Sequence, residues 1–294
     1  MCGWTTWILA SSVLLALYDL AKKASVQGNA VLPTLLASTS FGFVAYVTGL
    51  ALCGRLDAAS GLTPEVLAVS VVKCTIVGTS WVFTFCALRA LPITIATPIR
   101  ASAPALVFLI ALFLYGELPA PLQACGMASV FAGYFAFSWA GKGEGIDFFR
   151  NRAVWLAVAG AVCSALAAIW DKYLFQVRGL SVETVQLAFQ AGLVLFYLVL
   201  LAGGRVLHVR GVPFEWRWTV PFVGILLAGA DWLYFKGLAV PDAPVSAASL
   251  LRRFSVVITF VLGAKFFHET NLVRKGIALT AIVGGVVLIC CGGR

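Results

Sequence analysis

The sequence predicts an all-α polytopic membrane protein whose ten transmembrane helices form two inverted five-helix repeats. Three observations predict it. Of the 294 residues, 61% are hydrophobic and only 11% charged, with a mean hydropathy of +0.98. Soluble domains carry about 25% charged residues, so this chain cannot coat a water-facing surface. Second, the chain divides into apolar runs of about 20 residues, the length that crosses a bilayer as a helix. Third, its rare charged residues repeat at one offset along the chain.

The runs are bounded by charge, Gly and Pro. The first five cover residues 4–24, 31–52, 66–88, 93–115 and 121–139. The second five cover 154–174, 183–203, 218–238, 245–266 and 275–292. The first is a retained span, not a secretory signal, because Asp19, Lys22 and Lys23 follow its apolar stretch instead of preceding it. The third contains Lys73, and the ninth contains Arg252 and Arg253. All are too long and too evenly apolar for the alternating ten-residue strands of a membrane barrel. No separate soluble domain fits beside them. The eight cysteines lie mostly in apolar runs without a CxxC pair, and read as small apolar fillers.

Sliding the chain by 152 residues aligns Asp19 with Asp171, Arg100 with Arg252, Glu117 with Glu269 and Gly133 with Gly285. The expected domains are therefore residues 1–142 and 153–294. Five is odd, so the second copy starts on the opposite side of the membrane from the first. Inverted repeats of this kind are common in secondary transporters, with the site near the midplane between the halves.

Each half closes on a Pro-bearing polar turn, a helix with a basic residue, a Glu just past its end, and a Gly-containing helix. The first half reads ALPITIATPIRASAPALVFLIALFLYGELPAPLQACGMASVFAGY, and the second AVPDAPVSAASLLRRFSVVITFVLGAKFFHETNLVRKGIALTAIVGG. Over its whole length the chain resembles the EamA-type family of the drug/metabolite transporter superfamily. That resemblance implies ten helices, a central cavity lined mainly by helices 1, 3, 4, 6, 8 and 9, and alternating access. It also implies a multi-pass protein of the bacterial inner membrane, monomeric or homodimeric, with a small-molecule substrate and no nucleic-acid partner, cofactor or metal.

Nine charged residues lie within or beside the runs: Asp19, Lys73, Arg100, Asp171, Lys172, Asp231, Lys236, Arg252 and Arg253. Facing lipid, they would together cost on the order of 20–30 kcal/mol. They must face a wet cavity, a partner or the interface. Asp19, Asp171, Lys172 and Lys236 lie near run ends, where snorkelling or capping also accounts for them. Arg100, Arg252 and Lys73 lie deeper. Thr97, Arg100 and Pro104 share one helical stripe, as do Ser246, Ser249 and Arg253, with Arg252 beside them. A pairing of Arg252 or Arg253 with a Glu at a neighbouring helix end is the bland alternative.

TPIRASAP on helix 4 and SLLRRFSV on helix 9 are similar in position to the basic residues of the triose-phosphate and nucleotide-sugar transporters of the same superfamily. In the triose-phosphate transporters, a Lys on helix 4 and a Lys-Arg pair on helix 9 clamp phosphate. The resemblance implies that role for Arg100, Arg252 and Arg253, although Arg replaces Lys at two of the three places. Guanidinium groups in a low-dielectric cavity make bidentate, charge-assisted bonds to phosphate or carboxylate.

Six of the nine charges are basic and three acidic, an excess that favours an anionic ligand. Asp231 and Tyr234 share a face of helix 8. Asp231 has two readings: a partner for Lys73, or a carrier of a coupling proton, a role also open to Asp19 and Asp171. Trp81 and Trp232 lie at corresponding depths, placed to close on a substrate or simply to pack. Trp4, Trp7, Tyr115, Trp139, Trp155, Trp170, Tyr173, Trp216 and Trp218 form the expected aromatic belt.

Sorted by connector, 12 Lys and Arg fall on the odd-numbered side and three on the side with both termini. The positive-inside rule puts the odd connectors in the cytoplasm, whereas the resemblance more often implies cytoplasmic termini. The expected function is a secondary active transporter of a small anionic, phosphate- or carboxylate-bearing metabolite, with Arg100, Arg252, Arg253, Lys73, Thr97, Ser249, Tyr234, Trp81 and Trp232 at the site. The alternative is a proton-coupled exporter of amino acids or amphipathic metabolites and drugs. An intramembrane enzyme is disfavoured, since HExxH and GxSxG motifs are absent and His208 and His268 sit in connectors.

Overall fold

In hydrocarbon every backbone N–H and C=O needs a partner within the chain, so apolar runs of this length become helices. A computed structural model describes residues 3–90, 107, 116, 119–140, 151–206, 212–241, 243–267 and 272–292. All the regular elements among the described residues are helical. They are α1 (Trp4–Val26), α2 (Val31–Leu52), a 3-10 turn (Leu56–Gly61), α3 (Pro64–Ala90), α4 (Pro121–Ala140), α5 (Arg152–Lys172), a π turn (Tyr173–Val177), α6 (Val182–Val206), α7 (Thr219–Leu238), α8 (Val245–Arg252), α9 (Ser255–Phe267) and α10 (Leu272–Gly292). By length and composition, α1, α2, most of α3, α5 with its π turn, and most of α6 qualify as membrane spans. The run 93–115, with Thr97 and Arg100, lies outside the described residues.

One expected helix is broken. The run 245–266 is divided into α8 and α9 at Arg253 and Phe254. Tight i→i+3 bonds close the break, from Arg253 N–H to the Leu250 carbonyl and from Phe254 N–H to the Leu251 carbonyl, both 2.9 Å. In membrane carriers such interruptions are tolerated where backbone lines a cavity.

Packing alternates between early and late helices. α1 lies along α7, α3 along α5, and α4 along α10, while α2 contacts both α6 and α7. Close crossings use glycine, because helices in lipid associate through close van der Waals contact. A Cβ on Gly42 would stand 2.8 Å from the Gly224 carbonyl oxygen, and one on Gly285 would stand 2.5 Å from that of Gly126. Between α4 and α10, the Ser129 hydroxyl donates to the Ala281 carbonyl at 2.9 Å. Val44, Val71, Leu195, Val199 and Phe222 are exposed on the outside, as a lipid-facing surface requires. Trp155, Trp216 and Trp218 are also exposed, but Trp170 departs from the expected belt and donates inward to the Val69 carbonyl at 3.1 Å.

The bundle has two distinguishable ends. At one, Asn29 Nδ2 donates to the Glu215 carbonyl and Ser25 bonds Thr219. At the other, Thr184 donates to the Ala58 carbonyl, and the Glu183 carboxylate receives Lys236.

Candidate functional site

A cavity of about 150 Å³ opens between α1, α3, α5, α6, α7 and α8. These helices carry spans 1, 3, 6, 8 and 9 of the expected set, joined by Phe189 from the seventh. Its charged lining is Lys22, Lys73, Asp171, Asp231, Arg252 and Arg253.

Two ion pairs stand in this cavity. Lys73 Nζ lies 2.5 Å from Asp171 Oδ1, with both side chains buried. Three aromatic rings enclose the ammonium, with Phe235, Phe189 and Phe175 centroids 3.6, 4.6 and 5.5 Å away. Arg252 pairs with Asp231 through Nη2, and its guanidinium lies 4.4 Å above the Tyr234 ring. The Arg252 Nε is buried and has no hydrogen-bond partner among the described residues. Ser249 and Arg253 complete this corner.

The pairing differs from the expectation for Asp231. The partner of Lys73 is Asp171, and Asp231 goes to Arg252, because α3 packs on α5 while α7 adjoins α8. Asp171 is thus neither a snorkelling nor a capping residue. The repeat partner of Asp171 behaves differently: Asp19 is half-buried and does not line the cavity. At offset 152 the counterpart of Lys73 is Ile225, which is uncharged and exposed. The two aspartates therefore share a register, but the position that matches Lys73 carries no charge.

Lys73, Asp171, Asp231, Tyr234, Ser249, Arg252, Arg253 and Trp81 all line the cavity. Trp232 does not. It stacks edge-on against Trp7 at 6.1 Å and lies beside Lys236, because it stands one residue out of register with Trp81, about 100° round a helix, and Trp81 faces Phe189. Thr97 and Arg100 lie outside the described residues.

Three participants escaped sequence reasoning. Lys22 counted with the connector charges, yet it is buried in the cavity wall with its Nζ 4.4 Å from the Phe85 centroid and 5.3 Å from that of Tyr18. Its i+4 spacing from Tyr18, at the end of an apolar run, was the available signal. Phe189 stands between Gln186 and Gln190, and nothing in its spacing singles it out. Glu183 opens α6 and receives Lys236 at 2.7 Å and Arg55 at 3.4 Å, which only the fold brings together.

The arrangement can hold a small anion. Four basic side chains face two acidic ones, and the aromatic walls lower the local dielectric, which strengthens charge-assisted hydrogen bonds. Comparison with known proteins agrees with a membrane carrier. The model of the EamA-like transporter family matches residues 151–291. One solved structure, described only as a crystal structure of a protein, aligns over 97% of this chain and 95% of its own at a TM-score of 0.73 and 21% identity, which shows a shared fold. No curated protein matches the chain. With its apolar helices and an EamA-like transporter domain at residues 151–291, the chain is an integral multi-pass membrane protein whose second half resembles that transporter family.

Proposed function

We propose that the protein is a secondary carrier of a small anionic metabolite, working by alternating access between two inverted five-helix repeats, residues 1–142 and 153–294. The observation that carries the substrate class is the cavity lining: four basic residues against two acidic, with the Arg252 Nε buried and unpartnered among the described residues. Arg252 and Arg253 bind the anionic group, Ser249 and Tyr234 position it, and Trp81 bounds it. Arg100 and Thr97 contribute from the fourth span on the strength of the sequence register. The volume of about 150 Å³ is that of cavities holding a benzene-sized guest, so the occupant is a metabolite and not a lipid.

The repeat reading has support in the packing. Ser129 and Ala281, bonded between α4 and α10, are separated by the same 152 residues that align the charges. A pseudo-twofold axis makes equivalent residues meet in this way. The same offset exchanges the α1–α7 contact with the α3–α5 contact. The connector charges favour odd connectors in the cytoplasm of a bacterial cell.

Asp171 and Asp231 in the lining favour a second reading, proton-coupled export of amino acids or amphipathic compounds. A thermal-shift screen of the purified protein against phosphorylated metabolites, organic acids and amino acids separates the two, since a ligand stabilises the state it binds. Stabilisation by anions that is lost in Arg252→Ala and Arg253→Ala supports the anion site. Stabilisation confined to zwitterions or cations, unchanged in those variants, rejects it. Transport is expected to disappear in Arg100→Ala, Arg252→Ala and Arg253→Ala proteins that still insert; unchanged uptake in all three overturns the assignment.

A further inference from the structure

Helix contacts group the molecule along a line that is not the boundary between the two repeats. α7 of the second repeat lies along α1 and α2 of the first, and α8 and α9 also pack on α1. Thr259 of α9 donates to the Ala16 carbonyl of α1 at 3.3 Å. α3 of the first repeat, in turn, lies along α5 and α6 of the second. Each group is tied internally by a buried serine. Ser11 donates to the Ala230 carbonyl at 2.6 Å in one, and Ser80 to the Gly160 carbonyl at 2.8 Å in the other. Each also has a glycine crossing, which lets helices in lipid approach closely. A Cβ on Gly42 of α2 would stand 2.8 Å from the Gly224 carbonyl oxygen of α7, and one on Gly192 of α6 would stand 2.5 Å from Cys74 Sγ of α3. Offset 152 turns spans 1, 2 and 8 into spans 6, 7 and 3, so it exchanges the two groups.

Two crossings map onto themselves under that offset. One joins α4 to α10, where the bonded Ser129 and Ala281 are register partners. Burial agrees residue for residue around them: Ala128 and Thr280 are exposed, Val130 and Ile282 fully buried, Ala132 and Gly284 exposed, Gly133 and Gly285 buried. The other crossing joins α2 to α6, where the Tyr46 hydroxyl donates to the Glu183 carbonyl at 3.3 Å. Spans 2 and 7 run in opposite directions under inverted topology. Eight residues back along α2 and seven on along α6 stand Ser38 and Gln190, both buried and again 152 apart. The pseudo-twofold axis therefore passes through both crossings. The cavity is walled by α1 and α7 from one group and by α3 and α5 from the other.

We infer that the bodies that move are these two mixed bundles: α1, α2, α7, α8 and α9 rock against α3, α5 and α6 about an axis through the α4–α10 and α2–α6 crossings, and the Ser129–Ala281 contact is a pivot that stays made in both states of the carrier. The inference rests on the alternating-access reading, whose moving parts it specifies, but not on the identity of the substrate. In a carrier of inverted repeats the two states differ by an exchange of conformation between the repeats. Exchange maps a contact between register partners onto itself, so its length is the same before and after. A contact between the bundles away from the axis maps onto a different residue pair, and rigid-body rotation changes it. Tyr46 and Glu183 form such a contact, eight residues along α2 from Ser38 and so about 12 Å from the axis at 1.5 Å per residue.

The test bridges the bundle on and off the axis and reads the opening by hydrogen exchange, without substrate. In a full-length chain lacking its native cysteines and held in lipid nanodiscs, propanediyl bismethanethiosulfonate links Ser129→Cys to Ala281→Cys in one protein and Tyr46→Cys to Glu183→Cys in another. Mass spectrometry follows the amides of residues 66–73 and 232–238, which lie between the cavity and the Glu183 end on helices that carry neither bridge. The off-axis bridge should slow their exchange at least about 10-fold relative to the reduced protein, because it stops the opening that exposes them, whereas the axial bridge should leave it within about twofold. Val130→Cys with Ile282→Cys, the next register pair, serves if the first axial pair does not insert. Slowing by the axial bridge overturns the pivot and leaves alternating access standing. Unchanged exchange with both bridges overturns the rocking motion and the alternating-access reading together. Failure of the thermal-shift screen touches neither, since exchange needs no ligand.

Discussion

The two ion pairs in the cavity use the same chemistry in different surroundings. Lys73 is 1% exposed, bonded to Asp171 and enclosed by three phenylalanine rings. The Arg252 side chain is 20% exposed, and its Nε is unpartnered among the described residues. A pair whose donors are spent inside the protein is structural. A pair that keeps an unspent donor, on a residue that lines the cavity, can exchange its carboxylate for a ligand's. On the proposed reading, Lys73 and Asp171 belong to the floor of the site, and Arg252 with Asp231 to its working surface.

The largest effect should come from breaking the enclosed pair. Asp171→Asn leaves a buried ammonium without its counter-charge, and losing one partner of such a pair costs about 3–5 kcal/mol. Unfolding in detergent should show a lower midpoint and poor recovery. The double variant Lys73→Met, Asp171→Leu removes both charges and should regain most of that loss. If Asp171→Asn unfolds like the parent, the enclosed pair is not structural and the contrast collapses.

Arg252→Ala acts on the other side of the comparison. Losing a bidentate, charge-assisted contact should weaken anion binding by about 30- to 100-fold, measured as loss of ligand-induced thermal stabilisation. Its cost to the unliganded fold should be smaller than that of Asp171→Asn, because the Arg252 side chain is partly exposed whereas Lys73 is enclosed. Arg252→Lys comes next: charge is kept and the planar fork lost, for an expected weakening of about tenfold. Equal binding by Arg and Lys would mean that the site reads charge and not geometry.

Which pair was structural was not legible in the sequence. The nine intramembrane charges stood out because apolar runs have so few, and the described ones among Lys73, Asp171, Asp231, Arg252 and Arg253 do converge on one cavity. Their partners did not follow, because pairing depends on which helices touch. Lys73 could be matched to Asp231 by repeat equivalence alone, while the packing of α3 on α5 gives it to Asp171. Helix limits followed the apolar runs closely, since hydrophobic length fixes a span. The break between α8 and α9 did not, because SLLRRFSV contains neither Gly nor Pro, and only the tight turn at Arg253 marks it. Lys22 was misplaced for a related reason: a charge at a run end reads equally as connector or wall until the neighbouring helix is known.

The smallest expected effect separates two tryptophans that stand one residue apart in the 152-residue register. Trp81 lines the cavity, edge-on to Phe189 at 6.5 Å, whereas Trp232 packs on Trp7 at 6.1 Å. Conversion of each to Phe removes an indole N–H and some apolar area without opening a large void. Trp81→Phe should therefore change anion binding by about 3-fold, within the 0.5–1.5 kcal/mol of an aromatic contact, and Trp232→Phe should leave it unchanged while lowering the unfolding midpoint slightly. Isothermal titration of the two variants with one stabilising anion decides it. A binding defect in Trp232→Phe equal to that in Trp81→Phe would mean that α7 turns its indole into the cavity during the cycle.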